Sequence, residues 1–192
     1  MMAVRMALPG DVSALAALVS DHAGRGEVLP RPVGEIARTL DDWVVGEEDG
    51  RVCACGSLRL VAPDRAEIRS VVVADACQGN GWGGRVVEAL IALARERRIG
   101  TVYALTHVAP FFQQLGFALG NRADWPEKVY GDCAWCSRKE GCQQTAVVYL
   151  MERAAPWQAE EHRRSGRQAG KREWAPILAK DGAAEHVPCG TR

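Results

Sequence analysis

Apolar and polar residues change their period several times along the chain, and each change predicts an element. MAVRMAL, Met2 to Leu8, has strand character, and Pro9-Gly10 breaks it with Asp11 placed to cap a helix. Helical spacing then takes over. Val12, Leu15, Ala16, Leu18 and Val19 share one face until Gly24 and Gly26 end the run. A short second helix is expected near Pro32, because proline suits the first turn of a helix and little else in it. DDWVVGEED, RVCACGSLRLV and RAEIRSVVVA read as strands, and the joints DGR and APDR between them predict an antiparallel meander. From Gly83 to Arg98, Val86, Val87, Leu90, Ile91 and Ala94 form one apolar stripe, with Arg85, Glu88, Arg95 and Glu96 turned away. This is an amphipathic helix stopped at Gly100. TVYALTH then reads as a short buried strand, APFFQQLGF as a short helix leading into a strand, and TAVVYLME as the closing strand.

After Met151 the apolar clusters stop and charge takes over. Residues 1–151 are therefore expected to form one domain, and 152–192 a disordered or loosely docked tail. A length of 192 residues agrees with a single domain. Lys plus Arg equals Asp plus Glu at 24 each, so nothing global points to nucleic acid or an anionic membrane. No apolar run approaches the roughly 18 residues needed to span a bilayer, and MMAVRMALPGD lacks the apolar core of a secretory signal. The expected location is cytoplasmic. An odd number of cysteines, seven, then fits reduced thiols or a metal site better than a disulfide framework.

The stretch VVVADACQGNGWGGRVVEAL crowds glycines between an apolar triplet and the amphipathic helix. Gly79, Gly81 and Gly84 spell G-x-G-x-x-G, yet six residues separate Val73 from Gly79 and the next strand ends in Leu105, Thr106 and His107, with no acidic residue for a ribose. A Walker A loop is excluded because no Gly-Lys-Ser/Thr is present after it. The remaining reading takes Gln78, Gly81 and Gly83 as Q-x-x-G-x-G at a helix start. Backbone N–H groups and the helix dipole there would receive a diphosphate, with glycine keeping the approach clear.

That loop resembles the acetyl-CoA loop of the Gcn5-related N-acetyltransferases (GNAT), and the order of elements is similar over about Met2 to Met151. The resemblance implies a mixed α/β fold whose mostly antiparallel sheet is flanked by helices and splayed at the acetyl-CoA site. It implies acetyl-CoA as co-substrate, held by Gln78, Gly79, Asn80, Gly81, Trp82, Gly83 and Gly84, with Val71, Val72 and Val73 offering backbone groups to the pantetheine arm. An amide near Val71 would donate to the thioester oxygen as negative charge develops. Within the family, GEVLPRPVGEI, EIRSVVV and WPEKVYGDCAWCSRKEGCQQTAVVYL look most like short-form N-acetylglutamate synthases, the last through a K-V-x-x-D-C-x-x-C signature. The implied reaction is acetylation of the α-amine of L-glutamate, the first step of arginine biosynthesis.

Acetylation needs an uncharged amine, so a base must take a proton from the ammonium. The resemblance places Glu67 in that role, although a cross-strand partner of Arg69 is an equally plain reading of it. Arg31 and Lys128 match basic positions of the family's substrate site, with Ser70 beside them. A forked guanidinium suits carboxylates. One position departs from the family pattern. Many members protonate the leaving thiolate with a tyrosine where this chain has Phe112, which leaves His107 as a candidate acid, directly or through water.

Cys133, Cys136 and Cys142 stand in C-x2-C-x5-C, a spacing open to a structural zinc with a fourth ligand from elsewhere, to a redox pair, or to three reduced thiols. Cys53 and Cys55 alternate with apolar neighbours and read as packing. Trp125 and Trp135 are read as packing or as a wall of the site. The partner expected is a small amine, with no nucleic acid and no membrane, and a homodimer is left open. Other amino acids, small amines and protein N-termini remain alternative acceptors. A non-catalytic acetyl-CoA-binding module and a zinc-linked nucleic-acid binder are the rival classes, the last disfavoured by the balanced charge.

Overall fold

In the computed structural model, which describes residues 2–136 and 139–151, the elements run in the predicted order. They are β1 (Met2–Met6), α1 (Val12–Gly24), α2 (Val33–Arg38), β2 (Trp43–Glu48), β3 (Arg51–Ala62), β4 (Arg65–Val73), α3 (Trp82–Glu96), β5 (Thr101–Thr106), α4 (Ala109–Gln114), β6 (Ala118–Gly120), α5 (Pro126–Tyr130) and β7 (Thr145–Leu150). The strands form one sheet in the order β1-β2-β3-β4-β5-β7-β6. Every pair in it is antiparallel except β4 with β5. The fold is therefore the mixed, mostly antiparallel sheet flanked by helices that the pattern leads one to expect. The β2–β3 hairpin turns through Asp49 and Gly50, both at positive φ, as a two-residue loop of the twist-matching kind requires. The one helix the pattern does not predict is α5, which starts on Pro126 at the position where its missing N–H costs nothing.

Two features of β4 open the sheet. Its parallel pairing with β5 is confined to Arg65–Thr101, Ala66–Val102 and Glu67–Tyr103, while β4 runs on to Val73 and β5 to Thr106. The strands part beyond Glu67. On the other side of β4, the β3 register shifts between Cys55 and Ser57, so that Ser70 and Val71 stand opposite Gly56 alone. Ser70 takes φ of 54°, the mark of a bulge that bends the strand and re-aims its backbone groups.

One face of the sheet is covered by α3, whose Trp82, Val86, Val87 and Leu90 are essentially inaccessible. Glycines permit the approach. A Cβ on Gly46 would lie 2.5 Å from Cε3 of Trp82, and one on Gly56 would lie 2.8 Å from Cγ1 of Val86. The opposite face carries α1 and α2 through Leu15, Val19 and Ile36, packed on Trp43, Val45 and Val72. Because Trp82 fills the space left by Gly46, Trp82→Ala should cost about 3–5 kcal/mol, measured by urea denaturation monitored with circular dichroism.

Cysteine pairing differs from expectation. Cys53 on β3 and Cys77 in the turn after β4 form a disulfide across a Cα separation of 5.8 Å. This corrects the expectation that Cys53 serves only as packing and that the thiols are all reduced. The bond arises because the end of β4 folds back over β3, with Ala74 N–H donating to Cys53 O at 2.8 Å. Nothing in the spacing shows that juxtaposition. With a sequence separation of 24, the bond should contribute about 3 kcal/mol. Reduction, or Cys77→Ser, should shift the urea midpoint down accordingly.

Cys55 remains a free thiol, fully enclosed, and burial pushes it well above its ordinary value. The expected tail, 152–192, lies outside the described residues. No helix among those described is long and apolar enough to cross a membrane.

Candidate active site

Where β4 and β5 part, a cavity of about 490 Å3 opens between the α1–α2 connection, the ends of both strands, α4 and α5. Of the residues singled out from the sequence, Arg31, Glu67, Ser70, Val71, Val72, His107 and Lys128 line it. Four separate parts of the chain are thereby brought to one space. The divergence of two parallel strands is what creates it, since neither strand there has a partner on the inner side.

One wall of the cavity is ionic. Glu67 is 2% exposed, and its Oε1 lies 2.6 Å from Lys128 Nζ. Its Oε2 has no hydrogen-bond partner among the described residues. The same is true of the buried Nε of Arg31 and of Arg69. Buried polar atoms are normally satisfied, so three unmet groups on residues lining one cavity point to a polar ligand. Arg69 stands two residues along β4 from Glu67 and so on the same face of the strand. From the sequence it is only a candidate ionic partner for Glu67, a pairing between neighbours on one strand rather than across two. Its actual partner is Glu35, at 2.8 Å. Burial, with the neighbouring Arg31, pushes the Arg69 guanidinium below its ordinary value.

Asp132, which stands in the D-C-x-x-C motif and has no role assigned from the sequence, sits behind these cations. Its Oδ2 accepts from Arg31 at 2.6 Å and from Lys128 at 2.9 Å, and its Oδ1 accepts from Arg59 at 3.4 Å. Burial alone would push this carboxyl up, but the hydrogen bond from Arg31 and the charge of Lys128 hold it well below the usual carboxylate range. The resulting stabilisation is complete above the ordinary carboxylate value of about 4 and is lost as pH falls below it.

The glycine loop lies at the start of α3. Gly79 and Gly81 adopt φ of 79° and 76°, and a side chain at either would enter open space. Gln78 is folded back, its Nε2 donating to Val73 O and Asp75 Oδ1. The first helical hydrogen bond runs from Arg85 N–H to Gly81 O, so the amides of Trp82, Gly83 and Gly84 precede the ladder and Gly81 has no side chain to cap them. Donors and dipole there suit a diphosphate. The indole of Trp82, by contrast, is buried in the core, which leaves only its backbone for a ligand. Gly83 has a second reason to lack a side chain, since a Cβ would stand 3.3 Å from Cζ of Phe111 on α4. Asn80 donates to Cys77 O at 3.5 Å. As expected, the Val71 and Val73 side chains pack against the α3 core, and that of Val72 against the α1 core.

Other candidates are placed differently. Phe112 is buried and makes edge-on contacts with Phe111 and Phe117 while also lining the cavity. His107 is exposed at the end of β5. Trp125 does not wall the site but stacks on Tyr103 at 4.0 Å between ring centroids. The Trp135 side chain lies outside what the structure describes. Cys133, Cys136 and Cys142 are free thiols around a small recess beside the main cavity, with His107 also lining it. Their sulfurs are not grouped as ligands, for the one cluster of metal-ligating atoms among the described residues is Glu48 with the bonded Cys53 and Cys77. The expectation of a zinc held by Cys133, Cys136 and Cys142 is therefore not supported. Cys133 is buried, while Cys136 and Cys142 are partly exposed.

The sequence pattern of the acetyltransferase (GNAT) family matches residues 20–117. The chain belongs to the GNAT acetyltransferase family. It is an enzyme class that moves the acetyl group of acetyl-CoA. Among curated relatives, an uncharacterized N-acetyltransferase of Chlorobaculum tepidum, CT2212, is 30% identical over 77% of this chain and 96% of its own length. The amino-acid acetyltransferase of Mycobacterium tuberculosis is 34% identical over 59% of this chain and 67% of its own. Among solved structures, the N-acetylglutamate synthase of Neisseria gonorrhoeae complexed with coenzyme A and N-acetyl-glutamate superposes with a TM-score of 0.68 at 24% identity. That match covers 80% of this chain but 36% of the synthase, so it speaks for the shared GNAT fold.

Proposed function

We propose that this GNAT acetyltransferase acetylates the α-amine of a free amino acid, with L-glutamate as the acceptor. The observation that carries the reading is the set of unmet groups around one cavity. Among the described residues, Glu67 Oε2 is a buried acceptor without a donor, and the Nε atoms of Arg31 and Arg69 are buried donors without an acceptor. A molecule bearing an ammonium beside carboxylates complements both. The likeness to an amino-acid acetyltransferase supports an amino-acid acceptor.

In this reading Glu67 takes a proton from the ammonium, and the freed amine attacks the thioester carbon to give a tetrahedral intermediate. Backbone N–H groups at the Ser70–Val71 bulge are assigned in this reading as donors to the oxygen that gains charge. Collapse breaks the carbon–sulfur bond and expels the thiolate of coenzyme A, which takes its proton from His107, directly or through water, while the nitrogen gives up its second proton to solvent. Phe112 has no proton to give. Arg31, Arg69 and Lys128 hold the carboxylates, while the amides at the start of α3 hold the diphosphate. Glu67 keeps Lys128 as its counter-charge throughout.

The test is growth of an arginine auxotroph that lacks its own N-acetylglutamate synthase. Expression of the wild-type chain should restore growth without arginine, and expression of Glu67→Gln should not. Failure of the wild type, when the protein is soluble and binds acetyl-CoA, would count against glutamate.

A further inference from the structure

Of the chemistry-bearing motifs in the sequence, the D-C-x-x-C segment is the one that the proposed reaction leaves without a task. Its cysteines are not grouped to hold a metal, yet its aspartate is the most highly connected side chain beside the cavity. Four cations from four parts of the chain come within 4.0 Å of the Asp132 carboxylate: Arg31 at 2.6 Å, Lys128 at 2.9 Å, Arg59 at 3.4 Å and Arg69 at 3.8 Å. Arg31, Arg69 and Lys128 have side chains only 7%, 6% and 6% exposed. Cations so enclosed are held in place only if an anion compensates them.

The position of Asp132 settles which task it can perform. It does not line the 490 Å3 cavity, whereas Arg31, Arg69 and Lys128 do. It lines a separate, shallower hollow, to which Arg31 and Arg69 also contribute. The arginines thus stand between two spaces, with the carboxylate behind them. Without that anion, the four like charges would share, among the described residues, only Glu35 and Glu67. Long basic side chains relieve such repulsion by swinging their charged ends into water.

We propose that Asp132 is a positioning residue for the acceptor site: its carboxylate, from behind, holds Arg31 and Lys128 against the cavity in the geometry that receives the carboxylates of the amino acid. This rests on the amino-acid reading given above. The loop that carries Asp132 thereby sets acceptor affinity without touching the acceptor. The effect is confined to one co-substrate, because none of these contacts reaches residues 78–84. It also leaves the chemical step largely intact, since Lys128 would keep its 2.6 Å contact with Glu67.

The experiment compares wild type with Asp132→Asn, Asp132→Ala and Asp132→Glu in steady-state kinetics, varying L-glutamate and acetyl-CoA separately. Calorimetric Kd values for acetyl-CoA and circular dichroism are recorded on each. The asparagine and alanine variants should raise the acceptor KM by about 10-fold or more, with kcat and the acetyl-CoA Kd changed by less than about threefold. Asp132→Glu should recover part of the loss, which a merely structural role would not predict.

An unchanged acceptor KM in a folded Asp132→Asn protein overturns the proposal. So does a lower KM, which would mean that Asp132 competes with the acceptor for Arg31. Parallel loss of kcat and of acetyl-CoA affinity in both the asparagine and glutamate variants overturns it too, because the role is then structural. A wild-type protein that binds acetyl-CoA yet acetylates no amino acid defeats the functional reading, and this proposal with it.

Discussion

Replacing Gly81 with valine is expected to weaken acetyl-CoA binding by about 100-fold or more, with a far smaller effect on folding. Gly81 precedes α3 at φ of 76°, and a Cβ there meets nothing within 4 Å. The structural penalty is therefore backbone strain alone, on the order of 1–3 kcal/mol for a non-glycine residue at such a φ. The functional penalty is larger, because the added methyls occupy the space in front of the amides of Trp82, Gly83 and Gly84. Losing even two hydrogen bonds to a charged diphosphate is worth about 3–6 kcal/mol. Gly50→Val supplies the control, since Gly50 has φ of 80° and an equally open surrounding but lies in the β2–β3 turn. It should suffer the same strain and bind acetyl-CoA normally. Calorimetric titration decides, and a Gly81→Val protein that keeps the wild-type Kd would show that the loop does not hold the diphosphate.

Converting Glu67 to glutamine should lower kcat by about 100-fold to 10,000-fold while leaving the acetyl-CoA Kd nearly unchanged. The substitution keeps the volume of a residue that is 2% exposed, and its amide oxygen can still accept from Lys128. Lys128 also retains Asp132, so no cation is stranded. What disappears is the acceptor that takes the proton, because an amide oxygen is too weak a base to remove one from an ammonium. A drop of less than about fivefold at saturating acceptor would show that the amine loses its proton elsewhere.

The meander strands are readable in the sequence as apolar runs and the helix of residues 82–96 as one apolar stripe, with Gly, Pro or Asp at most of the borders. The glycine loop is readable because its glycines stand between a strand and a helix. The ionic wall is only half readable. Arg31, Glu67 and Lys128 can be picked out individually, but Arg69 and Asp132 gain their meaning from a convergence of β4, α5 and the α1–α2 connection that no local pattern encodes. The same holds for Cys53 and Cys77, whose pairing depends on the fold-back after β4. Trp82 divides its two halves: it lies within the glycine motif, and the absence of a side chain on Gly46 draws its indole into the core while its backbone amide stays at the start of α3. The C-x2-C-x5-C spacing suggests a metal, but the local turn gives Cys133 and Cys136 different environments.

The proposed reaction comes down to the transfer of one acetyl group to one nitrogen. Incubating the purified chain with acetyl-CoA and L-glutamate, and analysing the products by mass spectrometry with a parallel thiol assay, tests that directly. The expected product is acetylglutamate modified at its α-nitrogen, formed in equal amount to free coenzyme A and absent with Glu67→Gln. Coenzyme A released with no acetylated amino acid, or acetylation only of amines that carry no carboxylate, would contradict it.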